Sequence, residues 1–320
     1  MAPRSTAAFV LLLAPAACRD GDVEAGADAT TLPHDASATA SDGASADASG
    51  GAAAERRWGV TIDAIELLPE IVDALAHLHH RPTTRVVFDE FVPASEYVDA
   101  VTQIAQVSDV MGELLDSYYV EQYSVEAYRA RAQEYVDALG DRVTLWEIGN
   151  EVNGEWLCGP DAQSCTAVQT AAVVAKLEAA FEVVDAAGGT TALTLYYNLD
   201  CWSSPDNEMF TWAAANLTPA LRQGVDFVFV SYYEDDCNGL QPDWPAVFGQ
   251  LASMFPDARL GIGECGTLDP DRKLAMIHRY YGMEIDEPAF VGGWFWWYFL
   301  EDMVPRDAPL WAELDAAMSP

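Results

Sequence analysis

A (β/α)8 barrel is the fold class this sequence predicts, and three observations predict it. From Arg57 onward, short β-branched or apolar runs alternate with longer amphipathic stretches. Eight such strand-helix pairs follow one another without a shorter repeat that competes. They fill about 265 residues, close to the ~250 that a closed parallel barrel typically takes. An open doubly wound sheet is the structural alternative, but it seldom runs through eight successive units uninterrupted.

The first strand is read at 58–62, Trp-Gly-Val-Thr-Ile, with a helix over 66–79. The second, 84–88, precedes a helix near 95–107. The third, 109–114, has weak strand propensity in Met-Gly-Glu-Leu-Leu; a helix at 124–138 follows. The fourth, 143–149, leads to an Ala-rich helix at 166–186, which ends at Gly188-Gly189 as helix C-termini commonly do. The fifth, 191–197, is paired with a helix around 206–222. The sixth, 226–231, is nearly all Val and Phe, with its helix at 244–254. The seventh is 259–263 with a helix at 271–281, and the eighth 291–298 with a short one at 308–317.

Outside this region the N-terminus has its own organisation. Arg4, the apolar run Ala7 to Ala14 and the small pair Ala16-Ala17 before Cys18 have the order of an export signal over residues 1–18. Ala-Ala-Cys also resembles a bacterial lipobox, in which the Cys is lipidated, although Pro15 stands where an aliphatic residue is usual. Residues 19–55 are almost entirely Ala, Asp, Gly, Ser and Thr, with eight acids against Arg19. Such a segment buries too little apolar surface to offset ordering entropy and reads as a disordered tether. The expectation is a cell-surface lipoprotein or a secreted protein, with a single barrel domain over 56–320.

The chain carries 51 acidic and 16 basic residues, a net −35. That field repels phosphate backbones, which argues against nucleic acid as a partner. It also disfavours polyanionic substrates and anionic membrane faces, so membrane contact is expected only through an N-terminal lipid. Neutral ligands such as uncharged sugars remain compatible, and the chain is expected to act as a monomer. Beyond Cys18 there are five cysteines and no CxxC or CxxH pair, so no structural zinc is expected. Cys158–Cys165 can close one loop and Cys201–Cys237 can join two others, leaving Cys265 as a buried thiol; the sequence does not fix these pairings.

In such a barrel, chemistry sits at the C-terminal ends of the strands. Acids near those ends are Asp63, Asp89, Glu90, Glu113, Glu151, Asp200, Glu234, Glu264 and Glu301. Most isolated loop acids are simply solvated. Two stand apart: Glu151 ends Trp146-Glu147-Ile148-Gly149-Asn150-Glu151 after strand four, and Glu264 ends strand seven within Gly261-Ile262-Gly263-Glu264-Cys265-Gly266. Strands four and seven lie nearly opposite in an eight-strand ring, so the two carboxyls can face one bond from two sides, as glycoside cleavage requires. Glu147 shares parity with Glu151 but sits deeper, and reads as a buried acid paired across strands rather than a catalytic group.

Asn-Glu after strand four, a Glu ending strand seven and a Trp ending strand eight resemble the pattern of clan A glycoside hydrolases; Trp-Glu-Ile-x-Asn-Glu is close in form to families five and thirty-nine. The likeness in order covers about 57–320, and the short motifs carry its specificity. It implies a retaining (β/α)8 hydrolase with Glu151 as acid/base, Glu264 as nucleophile and Asn150 on the sugar 2-hydroxyl. It further implies that Tyr232 or Tyr233 bonds the nucleophile and that Trp296 or Trp297 floors the subsite of the cleaved sugar. Trp156, Trp202 and Trp244 near the rim suggest an oligo- or polysaccharide groove. The pattern departs from the clan where an Arg is usual near the end of strand two: Arg85 lies at the strand's start and the end reads Phe88-Asp89-Glu90. Val152 replaces the usual Pro after the acid/base, and no His falls at a strand end. A missing cation predicts raised carboxylate pKa values, or the role filled from elsewhere.

Two other signals are set aside. Gly261-x-Gly263-x-x-Gly266 matches a dinucleotide fingerprint letter for letter, but it lies in the seventh unit with Thr-Leu-Asp-Pro before any helix. Its glycines are expected to let the backbone pass close to substrate and neighbouring strands. His77, His79 and His80 sit together at the end of the first helix, outside the mouth. No cofactor and no metal is expected. The leading reading is a hydrolase of β-linked glycans; the alternatives are a sugar-binding barrel that has lost catalysis, and a metal-dependent hydrolase using Asp63, Glu113 or Asp200.

Overall fold

The computed structural model describes residues 56–159, 162–199 and 201–319. The proposed signal and tether, and Asp200, lie outside the described residues.

Eight parallel strands close on themselves in sequence order, β1 pairing with β8. They are β1 Arg57–Ile62, β2 Thr83–Val87, β3 Asp109–Glu113, β4 Leu145–Gly149, β5 Thr191–Tyr196, β6 Phe227–Ser231, β7 Arg259–Glu264 and β8 Phe290–Trp296. The main helices are α1 Leu68–Ala76, α2 Val98–Val107, α3 Val125–Leu139, α4 Ala167–Ala186, α5 Met209–Asn216, α6 Pro219–Gly224, α7 Trp244–Met254, α8 Lys273–Tyr281, α9 Phe299–Met303 and α10 Pro309–Met318. This is the predicted TIM barrel, with two local differences. The single helix expected over 206–222 is split, because Thr218 caps a new start by accepting from Leu221 N–H and Pro219 occupies the first position. The short α9 was not expected. Among the described residues no helix is long and apolar enough to cross a membrane.

Strand alternation divides the apolar residues between two cores. Met111, Leu145, Ala192, Phe227, Phe229, Val291 and Phe295 fill the barrel floor, with Phe229 edge-on to Phe295 at 5.4 Å. Their neighbours, including Val110, Trp146, Val228 and Trp296, face outward onto the helices. Above the floor the inward positions turn polar, with Arg85, Glu113, Glu147 and Thr194 all fully buried.

Glycine matters at two places in the sheet. Gly293 has φ +94, and a Cβ there would stand 2.3 Å from the Ile262 carbonyl oxygen. At Gly261 a Cβ would meet the Gly292 carbonyl oxygen at 2.5 Å. Gly261 and Gly293 therefore serve close packing of β7 on β8, while Gly263 makes room for Phe229 of β6.

Both cysteine pairs are disulfides, Cys158–Cys165 and Cys201–Cys237, and Cys265 is a buried thiol. The first closes the loop after β4; the second ties the loop after β5 to the loop after β6.

Candidate active site

The site begins with one cation. Arg85 is the middle residue of β2, and its fully buried side chain rises inside the barrel. Its Nε donates to Glu147 Oε2 at 2.6 Å, Nη2 to Glu147 Oε1 at 3.1 Å, and Nη1 to Glu264 Oε2 at 2.7 Å. Nη2 also stands 3.0 Å from Glu113 Oε2, but off the direction of its N–H, so neither Glu113 oxygen has a hydrogen bond. The basic neighbour missing from the end of strand two is thus Arg85 itself. The expectation failed because the strand begins one residue earlier than read, and because a guanidinium reaches well above its own Cα.

Glu147 is the buried, paired acid foreseen for it, held by Arg85 and by the Thr194 hydroxyl of β5 at 2.5 Å.

Glu264, at the end of β7, accepts from Arg85, from Tyr233 Oη at 2.7 Å on Oε1, and more distantly from Asn150 Nδ2 at 3.4 Å. Burial pushes its pKa up, while Arg85 and the Tyr233 hydroxyl pull it back down. Glu151 has a different shell. Ser231 Oγ donates to its Oε1 at 2.5 Å and Ser117 Oγ lies 3.4 Å from Oε2. Burial and the nearby charge of Glu264 push Glu151 well above the usual carboxylate range, against weaker opposition from Ser231 and Arg85. Glu113 is also raised well above that range, burial first.

The backbone presents Glu151 in an unusual way. A register shift in β4 lies between Glu147 and Gly149, and Glu151 itself has φ +44, rare for a residue with a side chain. The loop beyond it is pinned by Asn153, fully buried, which donates to the Tyr196 and Asn207 carbonyls and accepts from Tyr196 N–H at 2.7 Å. Asn150 spans the pair: its Oδ1 accepts from Ser117 N–H at 3.2 Å while its amide nitrogen faces Glu264.

The other sequence candidates divide cleanly. Tyr233 joins the site, whereas Tyr232 is fully buried with its hydroxyl on the Leu240 carbonyl at 2.5 Å. Trp297 joins it, its ring 5.5 Å from the Arg85 guanidinium carbon, whereas Trp296 packs outward with its indole N–H on Asp302. Trp156 is half-buried beside Glu151's partner Ser117, to which it donates at 2.9 Å. Trp202 is an exposed ring on the loop after β5. Trp244, expected near the rim, is instead buried at the start of α7. Parity could have decided two of these, since Phe227, Phe229, Ser231 and Tyr233 share one face of β6, and Phe295 and Trp297 one face of β8. Ser117, Ser231 and Asn153 were not foreseen as part of the site, and Glu113, named only as a strand-end acid and possible metal ligand, stands in it beside Arg85.

A (β/α)8 barrel with two buried glutamates at its C-terminal mouth, one raised further than the other, is thus the class that fold and site define. No known family profile matches the chain, and no curated protein sequence matches it. Among solved structures it is similar to Saccharomyces cerevisiae Gas2p in complex with laminaritriose and laminaritetraose, at 14% identity and a TM-score of 0.51, over 82% of this chain and 64% of that one. A second Gas2p structure, with a compound bound, gives a TM-score of 0.54 at 14% identity over the same shares. This chain therefore spans less than two thirds of the Gas2p chain, and the likeness is one of fold.

Proposed function

We propose that the protein is a clan A glycoside hydrolase that cleaves β-glycosidic bonds in an oligo- or polysaccharide by a retaining double displacement. The observation that carries this is the asymmetry between the two glutamates. Glu264 has three donors aimed at its ionised form, as a nucleophile needs. Glu151 is buried with a hydroxyl and a neighbouring carboxylate for company, which favours the protonated form an acid needs.

In the first step a Glu264 oxygen attacks the anomeric carbon as the bond to the leaving oxygen breaks and Glu151 gives that oxygen its proton. The product is an ester between sugar and Glu264. In the second, Glu151 takes a proton from water, whose oxygen displaces Glu264 and frees it as carboxylate. Asn150 is placed in this scheme on the sugar 2-hydroxyl, and Trp297 beneath the sugar that becomes attached. Gas2p, the fold neighbour, binds laminari-oligosaccharides, which supports a neutral β-linked glycan as substrate, as does the strongly acidic chain. Export by the N-terminal signal, with or without a lipid on Cys18, would bring the enzyme to such material. The reading as a barrel without catalysis rested on an absent cation, and Arg85 removes that ground.

The test is incubation with laminaritetraose and with xylan, mannan, galactan and cellulose oligomers, following the anomeric proton of the first product by NMR. Cleavage giving the β-anomer, abolished in folded Glu264→Ala, is expected. Undiminished cleavage by that variant would sink the assignment.

A further inference from the structure

Because Glu151 is the proton donor in the proposed reaction, the part of the substrate that leaves must sit on the Glu151 side. What stands there is a built stack of rings. Trp156 donates its indole N–H to Ser117, the serine next to Glu151. Its ring is confined: a Cβ on Gly154 would lie 2.5 Å from it, so the backbone is pressed against it, and Tyr196 meets it edge-on at 5.2 Å. Tyr118 then stacks on Trp156 with centroids 6.0 Å apart and planes 20° from parallel. Tyr118 is the outer ring, 44% exposed although it adjoins the buried site.

The stack is braced from behind. Trp156 lies in the short turn Glu155–Cys158, whose last residue is anchored by the disulfide to Cys165. The Glu155 carboxylate, itself buried, accepts from the Ser203 and Ser204 N–H groups of the loop after β5, and that loop is tied in turn by Cys201–Cys237. Burial, and after it the charges of Glu151, Asp116 and Asp236, all acidic, push the Tyr118 phenol up to about 12. A rigid aromatic face with acids around it and no cation among the described residues that act on it suits the apolar face and hydroxyls of a neutral pyranose, and rejects uronates or phosphorylated sugars.

On the hydrolase reading above, we propose that Tyr118, backed by Trp156, is the platform for the sugar ring on the leaving-group side. The substrate is then a neutral glycan with at least one sugar beyond the bond that is cut, and a small group without a ring in that place is a poor substitute.

The experiment compares two substrates of the same sugar on the full chain: laminaritetraose, which places a ring on the platform, and β-glucosyl fluoride, which does not. In Tyr118→Ala the ratio of kcat/KM for tetraose over fluoride should fall about ten-fold, and Tyr118→Phe should hold the wild-type ratio. An equal loss on both substrates would make Tyr118 a support for Glu151 and overturn the proposal, as would no loss on either. If the wild type turns over neither substrate, the hydrolase reading fails separately. Calorimetric titration with laminaritetraose then decides the platform alone: binding about ten-fold weaker in Tyr118→Ala upholds it, and unchanged or absent binding overturns it.

Discussion

Replacing Arg85 by Lys keeps the charge and removes the fork. Arg85 holds Glu147 with two N–H groups and Glu264 with a third, at 2.6, 3.1 and 2.7 Å, in a place without solvent. An ammonium is a single point and cannot sit on both carboxylates from the same stem. At least two hydrogen bonds to charged groups go, each contributing about 1.5–3 kcal/mol, for a loss of about 3–6 kcal/mol. Opening a buried pair costs about 3–5 kcal/mol by a separate route, so the two figures agree. That is a large part of the ~5–15 kcal/mol that holds a typical domain together. The effect on Glu264 has a definite sign. Arg85 lowers its pKa, so a weaker contact lets it rise. The ionised form of Glu264, the proposed nucleophile, is then populated only at higher pH, and the acidic limb of the kcat/KM profile moves up. Denaturant unfolding and a pH–rate profile on the same preparation check both effects. A stability change under about 1 kcal/mol, or an acidic limb that stays in place, would refute Arg85 as the cation that governs Glu264.

Glu113 faces the same guanidinium but has no hydrogen bond and a strongly raised pKa, so a neutral isostere should serve; by denaturant unfolding at pH 7 Glu113→Gln is expected to be no less stable than wild type, with the acidic limb unmoved. Glu151 has a folded pKa above its unfolded one, so its contribution is fully present below the usual carboxylate range and is lost as pH rises through the raised value. Glu151→Gln, which cannot ionise, should therefore melt higher than wild type at pH 7 and converge with it on acidification below pH ~4; equal melting at pH 7 would contradict this. Asn153→Ala strips partners from the Tyr196 N–H and carbonyl, costing about 1–3 kcal/mol for each group left dry, while the Asn207 carbonyl keeps its bond from Asn198. Since Asn153 braces the loop behind Glu151, kcat should fall more than KM rises, which steady-state kinetics on the folded variant would read.

The barrel was legible because alternation of apolar residues is a local signal repeated eight times, and most predicted strand ends fall within two residues of the observed ones. The helix split is written in Thr218-Pro219, a capping hydroxyl followed by a Pro that suits a first helical position. Glu151 and Glu264 were placed by motif and by strand count. Arg85 was visible as a charge amid Thr83, Thr84, Val86 and Val87, where an unpaired cation is not tolerated, yet its partners lie 62 and 179 residues away. Asn153 gives no sign of its task, because the backbone groups that it satisfies belong to Tyr196 and Asn207. The Tyr118–Trp156 stack joins the loops after β3 and β4, a contact that no periodicity announces.

Trapping the covalent intermediate tests the division of labour between Glu151 and Glu264 most directly. A 2-deoxy-2-fluoro-β-glucosyl fluoride slows both steps but forms the ester, and peptide mass mapping then finds the residue that carries the sugar. The label is expected on Glu264, lost in Glu264→Gln and retained in Glu151→Gln. A label on Glu151, Glu147 or Glu113 would contradict the assignment, and so would release of an inverted product without any label.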